Sequence, residues 1–178
     1  IDLHPLQGKS IGGITQLLIA YDKYSGMMHV VKLINKSTAQ LSKGFQTLFS
    51  FYKRYDHNIR EIHSDSEPNL VALQEWMYAR TINIYYSPPG EHNRPLERHI
   101  NTLGQRVLCL QAQSVVELPP QLEAVTWMTA AGYLNDICTK RWPNTTPRFL
   151  FEGRKLDLSQ KKLLAYGTVA FVRNFGGA

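Results

Sequence analysis

Ile14-Thr15-Gln16-Leu17-Leu18-Ile19-Ala20-Tyr21-Asp22-Lys23-Tyr24-Ser25-Gly26-Met27-Met28-His29-Val30-Val31-Lys32-Leu33-Ile34 is the stretch from which the fold is read. Two runs rich in β-branched and aliphatic residues, 14–21 and 27–34, flank a segment with turn chemistry. That pattern predicts a β-hairpin. From Ser37 the period changes: Leu41, Phe45, Leu48, Phe49 and Tyr52 fall on one helical face, with Ser37 or Thr38 as N-cap. Strand hairpin followed by amphipathic helix is the start of an α/β domain.

Working outward, 59–63 reads as a short strand and Pro68 opens a helix to about Arg80, with Leu70, Leu73 and Met77 inward. A strand over 81–86 follows, then a polar loop from Ser87 to Asn93 with two prolines and a glycine. A helix over 95–113 carries the stripe Leu96, Ile100, Leu103, Val107 and Leu110, alternating steps of four and three. Pro119-Pro120 starts a further helix to about Thr139, apolar on most faces and therefore expected to be buried. The tail reads as a turn at 142–146, an irregular stretch, and a last strand at 168–173. With no internal repeat or linker, the 178 residues predict one α/β domain, a mixed sheet with helices on both faces.

Composition narrows the function. A hydrophobic content of 43% sustains a real core, and the longest apolar runs are far too short for a membrane span. No apolar stretch follows a basic start, so no signal peptide is expected, and the chain reads as a piece of a longer polyprotein. Cys109 and Cys138 form no CxxC pair, which excludes a cysteine-based zinc site; their apolar helical settings predict buried free thiols. Lys and Arg number 20 against 14 Asp and Glu, and the net charge of +6 favours a polyanionic partner.

Three acids stand where phosphoryl-transfer chemistry wants them. Such chemistry uses two divalent cations about 3.5–4 Å apart, clamping the attacking and leaving oxygens. Mg²⁺ takes hard oxygen ligands, so carboxylates are expected at strand ends and on a facing helix. Asp2 precedes the hairpin, Asp65 directly follows the 59–63 strand, and Glu97 flanks the buried stripe of its helix, about 100° around the axis from Leu96. Position alone does not single them out from the 14 acidic residues.

The surroundings of these acids resemble the integrase catalytic core of copia-type LTR retrotransposons. Asp2-Leu3-His4-Pro5-Leu6 is similar to the family's opening D-x-x-G-P-[LM], and Ile19 to Ser25 to its IIDDYSR hairpin. His63-Ser64-Asp65-Ser66 stands where the family has RSDNG. His92-Asn93-Arg94-Pro95-Leu96-Glu97-Arg98, with Asn101-Thr102-Leu103, resembles QNGVAERxNRTL. Glu123-Ala124 through Tyr133-Leu134-Asn135 is similar to EAxxTAxYLxN. Thr146-Pro147, Gly153-Arg154-Lys155, Asp157-Leu158-Ser159 and Tyr166-Gly167 resemble TPYELWxGRKPDLSxLRxFG. The resemblance runs collinearly through nearly the whole chain.

It implies a ribonuclease H-like fold in which Asp2, Asp65 and Glu97 are the DDE triad. That triad would bind Mg²⁺ or Mn²⁺ and direct a DNA 3′-hydroxyl onto a target phosphodiester. The implied partners are the element's DNA ends and target DNA, further copies of the chain, and a host tethering protein. The implied setting is the nucleus after a cytoplasmic particle stage. The sequence also departs from the pattern: 31 residues separate Asp65 from Glu97, fewer than is usual, and Ser66-Glu67 and Arg94 stand in place of the two glycines. These changes keep open a catalytically degenerate or domesticated DNA-binding or assembly module, and Glu91 competes as third acid. A nuclease that cleaves without joining is a further reading.

Other residues carry less. Arg98, Asn101 and Gln105 share a helical face, with Asn93 preceding them, and form a candidate DNA-binding ridge or a solvated surface. His4 and His63 flank the acids but read as hydrogen-bonded structural residues. Trp76, Trp127 and Trp142 read as core or interface. The pairs Arg154-Lys155 and Lys161-Lys162 read as solvated charge.

Overall fold

The first strand of the hairpin stretch organises the molecule. In the computed structural model, which describes residues 1–88, 94–114 and 117–154, β2 (Ile14–Tyr21) lies between β1 (Asp2–Ser10) and β3 (Met28–Leu33) in an antiparallel sheet. Leu17, Leu18, Ile19 and Ala20 are all buried, and they alternate between two cores. Leu18 and Ala20 face a cluster with Leu41, Phe45, Leu48 and Tyr52 of α1 (Thr38–Arg54). Leu17 and Ile19 face Leu103, Val107 and Leu110 of α4 (Arg94–Gln113) and Ala124, Trp127, Ala130 and Ala131 of α5 (Glu123–Asn135). A strand apolar on both faces is what a helix-covered sheet demands. Each fully buried Leu, Ile or Phe contributes roughly 1.5–3 kcal/mol. The expected α/β architecture with helices on both faces is present.

A parallel pair, β4 (Glu61–Ser64) and β5 (Asn83–Tyr86), turns Ile62 and Ile84 into the first core. It meets β1 where the nitrogen of Ile1 donates to the carbonyl of His63 at 2.6 Å. Ser37 caps α1 as expected, its hydroxyl accepting from the Gln40 N–H. No described helix is long and apolar enough to cross a membrane.

Several expectations need correction. The chain before the hairpin is a nine-residue strand, β1, which the sequence reading left unassigned. Pro5 is exposed and the register shifts between Pro5 and Ser10, so this strand tolerates a residue that interrupts strand patterns. The single helix expected over 68–80 is two short ones, α2 (Pro68–Val71) and α3 (Gln74–Tyr78), broken at Leu73 with ψ near 0°. Leu70, Leu73 and Met77 still point inward, so apolar spacing gave no warning of the break. The helix after Pro119 begins as a 3-10 turn (Pro120–Leu122) and ends at Asn135, and it exposes Val125 and Met128. The stretch read as irregular contains α6 (Pro147–Glu152), with Thr146 as N-cap, Pro147 at the first position and left-handed Gly153 closing it. Both cysteines are free thiols but exposed; Cys109 lies on the outer side of α4 and Cys138 beyond the end of α5. The strand expected at 168–173 and the Lys161-Lys162 pair lie outside the described residues.

Candidate active site

Asp2 begins β1, opposite Ile19, and buried Leu3 beside it anchors the strand in the core. One carboxylate oxygen of Asp2 accepts the Leu3 N–H at 2.7 Å, which fixes the side chain at the strand end. Asp65 follows β4 immediately and is half-buried. Its segment is tied to the end of β5 by two hydrogen bonds: the Ser87 N–H donates to the Ser64 carbonyl at 2.9 Å, and the Ser66 hydroxyl to the Ser87 carbonyl at 2.7 Å. Two acids that stand 63 positions apart in sequence thereby become electrostatic neighbours.

That neighbourhood registers on Asp2. Burial raises its carboxyl above the ordinary aspartate range, and the like charges of Asp65 and Glu67 push the same way. The Leu3 N–H opposes them. Partly buried carboxylates that repel one another are what a hard divalent cation relieves, and oxygen donors suit Mg²⁺ or Mn²⁺. Glu97 lies in the first turn of α4, exposed, beside buried Leu96. Among the described residues, no three Asp, Glu, His or Cys side chains are grouped closely enough to hold an ion. Asp2 and Asp65 are brought within electrostatic reach of each other. Glu91 and Asn93 lie outside the described residues.

The helix bearing Glu97 is held over the sheet by His99, whose ring stacks on Tyr21 at 3.8 Å between centroids and 18° between planes. Burial lowers the His99 pKa, with Arg98 acting in the same direction, and both favour the neutral ring. Sequence reading did not find this contact; a tyrosine ending the central strand was its only signal. Of the ridge residues, Arg98, Asn101 and Gln105 are all exposed. Asn101 and Gln105 line a groove shared with His4, Gln7, Glu123 and Trp127. His4 packs on Trp127 at 4.2 Å between ring centroids, and burial lowers its pKa, in keeping with a structural role. His63 is exposed and stacks on Tyr85, 5.1 Å between centroids. The strand alternation Glu-Ile-His-Ser and Asn-Ile-Tyr-Tyr would have revealed that pair, since Ile62 and Ile84 fix the inward face.

No protein-family model and no curated protein matches the chain. Among solved structures it is similar to the catalytic core domain of BIV integrase, at 16% identity and a TM-score of 0.60, covering 84% of this chain and 91% of that one. It is also similar to the HTLV-2 integrase catalytic core domain, a trimeric form in complex with magnesium, at 14% identity and a TM-score of 0.61, covering 84% of this chain and 93% of that one. At such identities the likeness concerns architecture: this chain has the α/β, ribonuclease H-like fold of integrase catalytic cores.

Proposed function

We propose that the chain is the catalytic core of a retroelement integrase, of the copia-type branch that its motifs resemble, and that it joins DNA ends to target DNA. The observation that carries this reading is the pairing of Asp2 with Asp65 at adjoining strand ends, half-buried and mutually repulsive. Asp2, Asp65 and Glu97 would hold Mg²⁺ or Mn²⁺ through their carboxylate oxygens. When bound, such cations make a 3′-oxygen a better nucleophile and stabilise the leaving oxygen. The chain's own work is to hold the acids rigidly at strand ends and to keep α4 over the sheet through His99 and Tyr21. In the reaction a DNA 3′-hydroxyl gives up its proton to solvent as its oxygen bonds to target phosphorus, the target's own P–O3′ bond breaks, and the departing 3′-oxygen takes up a proton.

Asn93, Arg98, Asn101 and Gln105 contribute DNA contacts, and the +6 charge supplies affinity that salt weakens. Concerted joining of two ends needs two active sites, so a homo-oligomer is part of the proposal; the HTLV-2 neighbour's trimeric form is in keeping with it. A host tethering protein and action in the nucleus, after a cytoplasmic particle stage, complete the reading. The degenerate alternative draws on the altered loops at Ser66-Glu67 and Arg94. Reversal of strand transfer on labelled branched DNA, in Mg²⁺ and in Mn²⁺, decides between them. Activity in the native chain that falls on the order of a thousandfold in Asp65→Asn supports the transferase, because cation clamping is worth several kcal/mol. Inactivity with cation bound supports the degenerate module.

A further inference from the structure

Two aromatic rings stand in the open beside the proposed acid site. His63 and Tyr85 are cross-strand partners in the β4–β5 pair, and both project from the face opposite Ile62 and Ile84. Tyr85 is 47% exposed, His63 is exposed, and their planes lie within 22° of each other. Tyr86, next in the chain, turns the other way and is fixed by its hydroxyl donating to the Leu70 carbonyl at 3.0 Å. The core therefore accounts for Tyr86 and leaves Tyr85 unexplained. The rest of this outward face is Glu61 and Asn83, also exposed, so it offers no Lys or Arg to a phosphate.

From this we infer that the His63–Tyr85 pair is a stacking platform for an unpaired nucleobase at a DNA end, resting on the strand-transferase reading above. One residue, Ser64, separates His63 from Asp65, which places them about 7 Å apart along the chain. A nucleotide whose phosphate reaches the Asp2–Asp65 cation site thus brings its base to the rings. The charge pattern fits that division: the anionic part of the nucleotide goes to the cation, and the uncharged π-face goes to a surface without cationic side chains. Stacking on exposed sheet aromatics is tolerant of sequence, because every base has such a face. Tyr85 and His63 are positioning residues; the acids remain the reacting machinery.

The probe is a duplex with a frayed end carrying 2-aminopurine as its 3′-terminal base, with Mg²⁺ present. Binding of the native chain should quench the 2-aminopurine. Tyr85→Ala should remove the quenching and weaken binding about five- to hundredfold, the usual range for losing one stacked base. Tyr85→Trp should retain both, and His63→Ala should show a smaller loss. Thermal melting of Tyr85→Ala should match the native chain, since the side chain is exposed. Unquenched fluorescence with native protein, or equal quenching in Tyr85→Ala, overturns the inference. So does a Tyr85→Ala effect confined to self-association in sedimentation, which would make the face a contact between copies. Branched-DNA activity measured in parallel separates the two readings. Tyr85-dependent quenching without activity sinks the transferase and keeps the platform; activity without quenching does the reverse.

Discussion

Buried polar groups are treated in opposite ways in two regions of this molecule. Along the edge strand β3, Asn135 clasps the backbone of Met28: its carbonyl accepts the Met28 N–H at 2.8 Å and its amide donates to the Met28 carbonyl at 2.9 Å. Nearby, Arg148 lies between Asp136 and Glu152, and Asp22 accepts both the N–H and the hydroxyl of Ser25. Each of these groups meets its complement. Where β1 adjoins β4, by contrast, Asp2, Asp65 and Glu67 present like charges to one another. The difference separates structure from function. These β3-flank groups are set against their opposites, whereas the acid flank gathers carboxylates that a bound cation would relieve further, beyond the Ile1 ammonium near Asp2 and the Lys36–Glu67 pair at 3.8 Å.

The first way to break the comparison is to open the clasp. Asn135→Leu keeps a similar volume but strands the Met28 N–H and C=O in a site where Met28 is 5% exposed. Leaving two buried backbone groups unmade should cost about 2–4 kcal/mol, read from the urea midpoint. A loss below about 0.5 kcal/mol, the size of ordinary surface substitutions, would mean that water replaces the amide and that the flank is not self-sufficient.

A smaller effect comes from an exception on the β3 flank, a ring whose nitrogen lacks a partner. His29 is buried among Phe51, Tyr52 and Phe151, with ring centroids 4.5, 5.2 and 5.3 Å away, and its Nε2 has no hydrogen-bond partner. Burial lowers its pKa to about 4; Asp22 opposes the shift and Arg148 adds to it. The unfolded ring takes up a proton near pH 6.5 while the folded ring resists. Stability contributed by the neutral ring is therefore lost as pH falls from about 6.5 toward 4, and no more is lost below that. The amount should reach about 2–3 kcal/mol by pH 4.5. His29→Phe should flatten this part of the pH profile relative to the native chain in paired urea titrations at pH 7 and 4.5. Parallel profiles would show that the ring is already solvated.

Much of the β3 flank and its core was legible in the sequence, because apolar periodicity reports burial directly. Leu41, Phe45 and Leu48 on α1, and Leu103, Val107 and Leu110 on α4, lie where their spacing predicted. Legibility failed where local chemistry outweighed periodicity. Pro5 hid β1, the turn at Leu73 preserved the apolar spacing it interrupts, and the Thr146-Pro147…Gly153 capping signals of α6 went unread beside the weak apolar pattern. The acids were proposed from motif context, because position alone does not single them out among the 14 acidic residues. Asp2 and Asp65 were identified from strand ends and motif context, yet their proximity depends on long-range pairing, such as the Ile1–His63 contact, that no local window contains. Cys109 misled for a related reason: one residue off the Val107 and Leu110 stripe is enough to turn a side chain outward.

The smallest effect sharpens the comparison most, because it should change sign between protein with and without cation. If Asp2 and Asp65 form a cation site, Mg²⁺ binds the folded chain and not the unfolded one, and stabilises it by RT ln(1 + [Mg²⁺]/Kd), about 1.4 kcal/mol at ten times Kd. Asp65→Asn removes one of the two repelling charges while keeping the shape of the side chain. In EDTA the variant should therefore melt at or slightly above the native temperature, since a repulsion has been relieved. In Mg²⁺ the order should reverse, because only the native chain gains from the ion. Asp2→Asn should behave alike, its amide oxygen still able to accept the Leu3 N–H that holds the native side chain at 2.7 Å. Asn135→Leu, acting on the other flank, should lower the melting temperature equally with and without Mg²⁺, since distant sites add. Thermal melts of the four proteins, each in EDTA and in Mg²⁺, make the test. An Mg²⁺ shift of the same size in native chain and Asp65→Asn would show that the ion binds elsewhere, and the acid flank would then have no more claim to a cation than any other cluster of surface carboxylates.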